Sequence, residues 1–182
     1  EPQLNFCPRP VVDAPAMPFK HWWTKEQLCN HAAMTTPSST ISAAPLSGDQ
    51  PLVINADGWV EAAARADSPN YDVRPDVNDI SLLVIHNISL PPGEFGTGCV
   101  RQFFCNQLDH AAHPFFREIE GVRVSAHFFI DRQGGLTQFV ATTARAWHAG
   151  QSCFQGRSMC NDYSIGIELE GTDDRPYTDE QY

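Results

Sequence analysis

Residues 82–96 read LLVIHNISLPPGEFG, and this stretch decides how the rest of the chain is interpreted. Four large apolar residues at 82–85 run without a polar interruption, which is typical of a strand covered on both faces. His86 and Asn87 follow directly, and the Pro-Pro-Gly sequence at 91–93 prevents the ladder from continuing. The stretch therefore predicts a buried strand that ends in two polar side chains and an ordered loop, a common place for a functional site.

The composition limits the classes of protein to which this chain can belong. Its 182 residues suit one domain of ordinary size, and 12 Lys+Arg against 22 Asp+Glu give a formal charge of −10. This charge argues against nucleic acid or an anionic membrane as the main partner. The longest apolar run is too short to span a bilayer, the N-terminus lacks the features of a signal peptide, and none of the six cysteines forms a CxxC pair. We therefore expect an unexported protein with free thiols in a reducing compartment.

Residues 1–51 differ in composition from the remainder, 52–182. They are rich in proline and carry a Ser/Thr-rich run at 35–40 without helical or strand periodicity, so we expect a disordered extension or upstream read-through. Met34 is a possible natural start. The alternative for Trp22 and Trp23 is that their segment docks on the domain, because paired tryptophans seldom stay fully solvated.

The rest of the chain alternates loosely between strands and short helices. We predict an α/β domain with a mixed sheet. Its elements are a strand at 81–86, a helix carrying Val100, Phe103, Phe104 and Leu108, a strand at 122–131, a turn at 133–135, a partner strand at 136–140 and a strand at 164–170.

The last residues have the composition of a helix start. Thr178 suits the N-cap, and Gln181 stands three residues later, as in a capping box. One helical turn is not stable alone. We therefore expect the natural protein to continue beyond Tyr182.

Several histidines could bind a metal. His86 has equal claims as a metal ligand and as a strand-end histidine bonded to backbone. His110 and His113 would form a clamp on one helix face, although Pro114 favours a loop. His127, inside a predicted strand, suits a core position, and His148 in the sequence RAWHAG suits either ligand contact or simple packing.

Two carboxylates alternate with apolar residues in the strand at 164–170. Glu168 and Glu170 share one face, and Ile165, Ile167 and Leu169 share the other. A carboxylate on a central strand is costly to bury without a partner or a task. Together with His86, Glu168 would suit a zinc hydrolase in which a carboxylate relays protons.

Between about Asp57 and Tyr182 the chain resembles the AmpD family, the bacterial cytoplasmic N-acetyl-1,6-anhydromuramoyl-L-alanine amidases of peptidoglycan recycling. The resemblance rests on motifs that occur in the same order. They are SLLVIHNISLPPGEFG at 81–96, residues 109–114, RVSAHFF at 123–129, RAWHAG at 145–150, QGR at 155–157 and CNDYSIGIELEGT at 160–172.

This resemblance implies a mixed sheet flanked by helices, as in peptidoglycan recognition proteins and type 2 amidases, and a cytoplasmic monomer that binds one Zn²⁺. The implied substrate is an anhydromuropeptide, cleaved at the amide between the lactyl group of anhydro-N-acetylmuramic acid and L-alanine. His86 matches the first zinc ligand and Glu168 the catalytic acid/base. The residues that match the lining of the family's substrate groove are Asn87, Arg123, Trp147 and His148.

The chain also departs from the family pattern. The family's second zinc histidine, a catalytic lysine and a zinc aspartate lie in a motif resembling GHxDIAPxRKxDPG, which does not occur in these 182 residues. Met159 stands where some members carry a basic residue. We therefore expect the chain on its own to be inactive, and the alternatives are a muropeptide-binding module without catalysis or an inactive fragment.

Overall fold

The fold is built on one mixed five-stranded sheet within residues 51–182, the part of the chain that the computed structural model describes. Strand β9 is parallel to both of its neighbours, whereas β4 and β5 form an antiparallel hairpin. The mixed α/β class is thereby confirmed. In spatial order the strands are β1 (Ala64–Arg65), β5 (Leu136–Gln138), β4 (Phe128–Ile130), β9 (Ser164–Glu170) and β3 (Leu82–Ile88).

Smaller elements surround the sheet. Two helices, α1 (Cys99–Phe104) and α2 (Pro114–Glu118), follow the loop after β3. Two short ribbons pair β2 (Tyr71–Val73) with β6 (Ala144–Ala146) and β7 (Cys153–Phe154) with β8 (Arg157–Ser158). No described helix is long and apolar enough to cross a membrane. The four described cysteines, Cys99, Cys105, Cys153 and Cys160, are free.

Strand β3 corrects one prediction. It lies at an edge of the described sheet, bonded only to β9, and the side chains of Leu83 and Ile85 are 58% and 52% exposed. The expectation of a strand covered on both faces is therefore wrong for the described residues. An uninterrupted apolar run shows that both faces of a strand are apolar, but it does not show which of them is packed.

Two further boundaries differ from the predictions. Helix α1 ends before Leu108, because Asn106 adopts a left-handed conformation with φ of 57°. The predicted strand at 122–131 is regular only over β4, since the amide of Ser125 bonds the carbonyl of Trp147 instead of a neighbouring sheet strand.

The capping box at Thr178 is confirmed. It opens a single 3₁₀ turn, Asp179–Gln181, and the Gln181 amide donates to the carbonyls of Ile130 and Glu170. This turn therefore closes over the ends of β4 and β9. The predictions for the proline-rich segment, Met34 and the tryptophan pair lie outside the described residues.

The core fixes the orientation of β9. Ile165 and Ile167 pack against a cluster of Val60, Phe128 and Leu136. Because side chains alternate along a strand, the other face of β9 carries Ser164, Gly166, Glu168 and Glu170. All four of these residues are buried.

Candidate active site

The centre of the candidate site is the pair formed by β3 and β9. His86 and Glu168 are partners in the parallel register, so their side chains project from the same face of the sheet. The Glu168 side chain is buried, and its Oε2 atom has no hydrogen-bond partner among the described residues. Burial raises the pKa of Glu168 to about 8, because desolvation penalises the carboxylate. A carboxyl group that titrates near neutral pH is suited to both accepting and returning a proton.

A chain of three side chains runs across this face. His148 Nδ1 lies 3.0 Å from His86 Nε2, and the other ring nitrogen of His148, Nε2, lies 3.1 Å from Ser164 Oγ. The structure thereby brings His148 to His86, although 62 residues separate them in the sequence.

Gly166 makes room for this arrangement. A Cβ atom at this position would lie 2.3 Å from Cγ of His148, so only glycine allows the imidazole to rest against β9. The backbone amides of His148 and Ala149 both donate to Oδ1 of Asn161, at 3.2 and 2.8 Å. The ring is therefore held from the sheet side and from its own loop.

His127 has a structural role next to the site, in agreement with the prediction of a core position. Its Nδ1 accepts the Gly166 amide at 3.0 Å, so Nε2 carries the proton and donates to the Ala144 carbonyl at 3.2 Å. Arg74, also buried, donates to the carbonyls of Asn161, Asp162, Ala144 and Ser164. Its guanidinium thereby links the segment that follows β2 to β6 and to residues 161–164, beneath the site.

The imidazoles at the site are neutral at neutral pH. Burial lowers the pKa of His86, and it lowers the pKa of His127 to about 4. The pKa of His148 is lowered to about 2, mainly by burial and further by charge repulsion from His127 and His86. Neutral imidazole is the form that binds metals.

Glu170 shares the face of Glu168, as predicted, but both of its carboxylate oxygens already accept hydrogen bonds. Its Oε1 accepts the Gly96 amide at 2.6 Å and its Oε2 accepts the Arg132 amide at 3.2 Å. Glu170 therefore fixes the loop after β3 against the β4–β5 turn, and Glu168 alone keeps an unpartnered carboxyl oxygen.

Asn87 lies at the mouth of an open pocket lined by Ile85, His86, Asn87 and Asp173. Because it follows His86 in the strand, it comes from the opposite face of β3. Its Nδ2 donates to Asp173 at 2.8 Å, and its Oδ1 is buried without a partner among the described residues.

Arg123 and Trp147 have no hydrogen bond to the two residues at the centre of the site. The segment that carries Arg123 is bonded to Trp147 through Ser125, whose amide donates to the Trp147 carbonyl. The Arg123 side chain is exposed and donates to the adjacent Val122 carbonyl at 3.2 Å. No hydrogen bond joins Arg123 or Trp147 to His86 or Glu168, and their place in a substrate groove stays a prediction.

The His110–His113 pair occupies a loop and a helix cap. His110 Nδ1 lies 2.7 Å from the Phe116 carbonyl, and His113 Nδ1 accepts the Phe115 amide as N-cap of α2. The loop alternative is correct, and these rings are bound to backbone.

The donors present fit part of a zinc site. Zinc in proteins takes three or four N, S or O ligands, with Zn–N of about 2.0–2.1 Å. His86 offers a neutral imidazole nitrogen, which is a donor that suits zinc, but no group of three or more His, Cys, Asp or Glu residues within 51–182 is arranged to hold an ion. The described residues thus do not complete a metal site.

Four residues of this region were missed by sequence reasoning. Gly166 inside a strand is a signal of close approach that could have been used. Ser164 and Asp173 stand next to recognised motifs but gave no signal of their own, and Arg74 reads as an ordinary turn residue until its partners are known.

Comparisons with known proteins identify the family. The family model for N-acetylmuramoyl-L-alanine amidase matches residues 76–182. The 1,6-anhydro-N-acetylmuramyl-L-alanine amidase AmpD of Salmonella typhimurium (strain SL1344) is 58% identical over 125 residues, covering 69% of this chain and 67% of the relative. AmpD of Escherichia coli (strain K12) is also 58% identical, with 69% and 68% covered.

The fold agrees with this relationship. A crystal structure of a selenomethionine AmpD derivative superposes with a TM-score of 0.69 at 54% identity, covering 72% of this chain and 73% of that one. The chain therefore belongs to the N-acetylmuramoyl-L-alanine amidase family and resembles its AmpD members.

Proposed function

We propose that this protein hydrolyses the amide bond between the muramoyl lactyl group and L-alanine of anhydromuropeptides, as a step of peptidoglycan recycling. The observation that carries the proposal is the buried, unpartnered carboxyl of Glu168 opposite His86 on the neighbouring strand, in a chain that is 58% identical to AmpD proteins. The family resemblance further supports a monomer in the cytoplasm that depends on zinc, with His86 as one ligand.

Zinc bound at His86 would polarise the scissile carbonyl and lower the pKa of a water molecule. The remaining steps belong to this chain. In its ionised form Glu168 accepts a proton from the attacking water, and it returns that proton to the leaving nitrogen of L-alanine. Because its pKa is about 8, the group can perform both transfers near neutral pH.

The groove around these groups would hold the substrate. The proposal places Asn87, Arg123, Trp147 and His148 along it. The open pocket that Asn87 shares with Ile85, His86 and Asp173 supports this for one residue.

The test is cleavage of anhydro-N-acetylmuramyl peptide, followed by mass spectrometry of the released peptide. Since no group of three or more His, Cys, Asp or Glu within residues 51–182 is arranged to hold a metal, we expect the 182-residue chain in excess zinc to show no efficient turnover. Fusion to the part of E. coli AmpD that this chain does not match should supply the remaining groups and restore cleavage.

Matched variants of the fusion assign the chemistry. Glu168→Gln should lower kcat at least 100-fold, because removing a general acid/base typically costs about 10²–10⁴-fold. Glu120→Gln, at an exposed carboxylate, should keep full activity. A folded fusion that binds the muropeptide without cleaving it would instead establish the alternative, a binding module.

A further inference from the structure

Strand β3 has an open edge in the part of the chain that the structure describes. It is seven residues long, Leu82–Ile88, and it pairs with β9 on one side only. The strand contains no proline, lysine, arginine, aspartate or glutamate, which are the residues that usually prevent pairing at an edge strand. A long, uncharged edge of this kind can pair with a further strand.

The hydrogen bonds of β3 define which of its backbone groups face outward. The amide of its first residue, Leu82, and the carbonyl of its last residue, Ile88, both bond the residues that flank β9. Successive residues of a strand direct their N–H and C=O groups toward opposite edges. Leu83, Ile85 and Asn87 therefore direct theirs away from β9, toward the open edge.

These outward groups are arranged symmetrically about Ile85, the middle residue of the strand. If a second copy of β3 lies antiparallel with Ile85 opposite Ile85, Leu83 of each copy lies opposite Asn87 of the other. Such pairs exchange two N–H···O=C bonds in an antiparallel ladder. A register shifted by one residue would instead place outward groups opposite inward ones. The backbone of β3 is therefore complementary to a second copy of itself.

The side chains favour the same partner. Those of Leu83 and Ile85 are 58% and 52% exposed, and in the paired sheet they would lie on one face, next to the same residues of the second copy. The chain has a formal charge of −10, so two copies repel each other over much of their surface. Because β3 itself carries no carboxylate, it is a place where two copies can meet and bury apolar side chains.

We propose that the 182-residue chain forms a two-fold dimer by antiparallel pairing of its β3 edges. The open pocket lined by Ile85, His86, Asn87 and Asp173 lies on the same edge, so the second copy would cover it. The dimer is therefore closed to a muropeptide, and the monomer stays the active form under the proposed function. The pairing itself rests on β3 and does not depend on that function.

The test is sedimentation velocity of the full chain over a wide range of protein concentration, together with hydrogen exchange of backbone amides followed by NMR. The mass should rise from that of a monomer to twice that value and then level off. The amides of Leu83, Ile85 and Asn87 should exchange about tenfold more slowly, or slower still, in the dimer. Those of Val84 and His86, which face β9, should change little.

A matched pair of variants locates the interface. Ile85→Lys should weaken dimerisation about tenfold or more, because two ammonium groups would lie next to each other at the two-fold axis. Val73→Lys changes an apolar residue of β2 that is 88% exposed, and it should leave dimerisation unchanged. Urea unfolding checks that both variants fold. Amide exchange in the unchanged chain decides the question even if Ile85→Lys does not fold.

Three results would overturn the inference. The first is a chain that stays monomeric at every concentration; if its Leu83 and Ile85 amides are nevertheless protected, another segment of the chain covers the edge. The second is association that continues beyond twice the monomer mass, because a two-fold pair is closed. The third is Val73→Lys weakening association as strongly as Ile85→Lys, which would place the interface elsewhere.

Discussion

Replacing Glu168 by glutamine should stabilise the protein at alkaline pH. The folded protein holds a proton on Glu168 up to a pKa of about 8, whereas the ordinary value is 4.5, so the folded state binds more protons than the unfolded state between these limits. Stability from this group is therefore complete below about pH 4.5 and is lost as the pH rises toward 8. At about 1.4 kcal/mol per pKa unit, the loss reaches about 5 kcal/mol. Glutamine has a similar shape and does not ionise, so the variant avoids this loss.

The measurement is the free energy of unfolding in urea from pH 5 to 9, with a chelator present so that no metal stabilises the carboxylate. The stability of Glu168→Gln relative to the parent protein should increase by about 1.4 kcal/mol per pH unit up to about pH 8 and then level off. A difference that does not change with pH would refute the assignment of a buried, protonated Glu168.

Glu170→Gln is the control from the same face of the same strand. Each oxygen of Glu170 accepts a backbone N–H, from Gly96 and from Arg132, and a glutamine amide would turn an NH₂ group toward one of these donors. This variant should therefore be less stable than the parent protein, by about 1–3 kcal/mol, which is the opposite sign.

Two further predictions concern the network beneath the site. Burial lowers the pKa of His127 to about 4, so the unfolded state binds more protons than the folded state between pH 4 and 6.5. The free energy of unfolding of the parent protein should therefore fall by about 3 kcal/mol as the pH falls through this range. His127→Asn should show a smaller decrease in urea unfolding. Arg74→Met removes the donor that serves four carbonyls, of which the Ala144 carbonyl keeps His127 Nε2 as a donor, and should cost about 3 kcal/mol or more. Arg101→Met, which breaks one bond to an exposed carbonyl, should cost less than about 1 kcal/mol in the same measurement.

Local patterns predicted the parts of the fold that depend on neighbouring residues. The alternation in β9 gave its bounds and its two faces, and the capping box at Thr178 gave the final turn. Both succeed because period-2 alternation and helix capping are properties of a few consecutive residues. The end of α1 was missed because the left-handed conformation of Asn106 leaves no reliable mark in the sequence.

The candidate site was predicted in part. The sequence pointed to His86 at the end of its strand and to Glu168 on the polar face of another strand, and the parallel register of β3 and β9 places them side by side. It did not indicate that His148 would meet His86 or that Asn87 would bond Asp173. These contacts join residues 62 and 86 positions apart, and they depend on which strands are neighbours.

By itself the sequence determined the α/β class and the family, and it predicted His86 and Glu168 as the central residues, because motifs and alternation are properties of consecutive positions. Only the tertiary structure decided that β3 is an edge strand of the described sheet with Leu83 and Ile85 exposed, that Arg74 binds four carbonyls from two segments, and that Gly166 admits the His148 ring. The physical reason is that the chemistry of a side chain limits the kind of partner it can have. The order of the strands in the sheet then determines which residue becomes that partner.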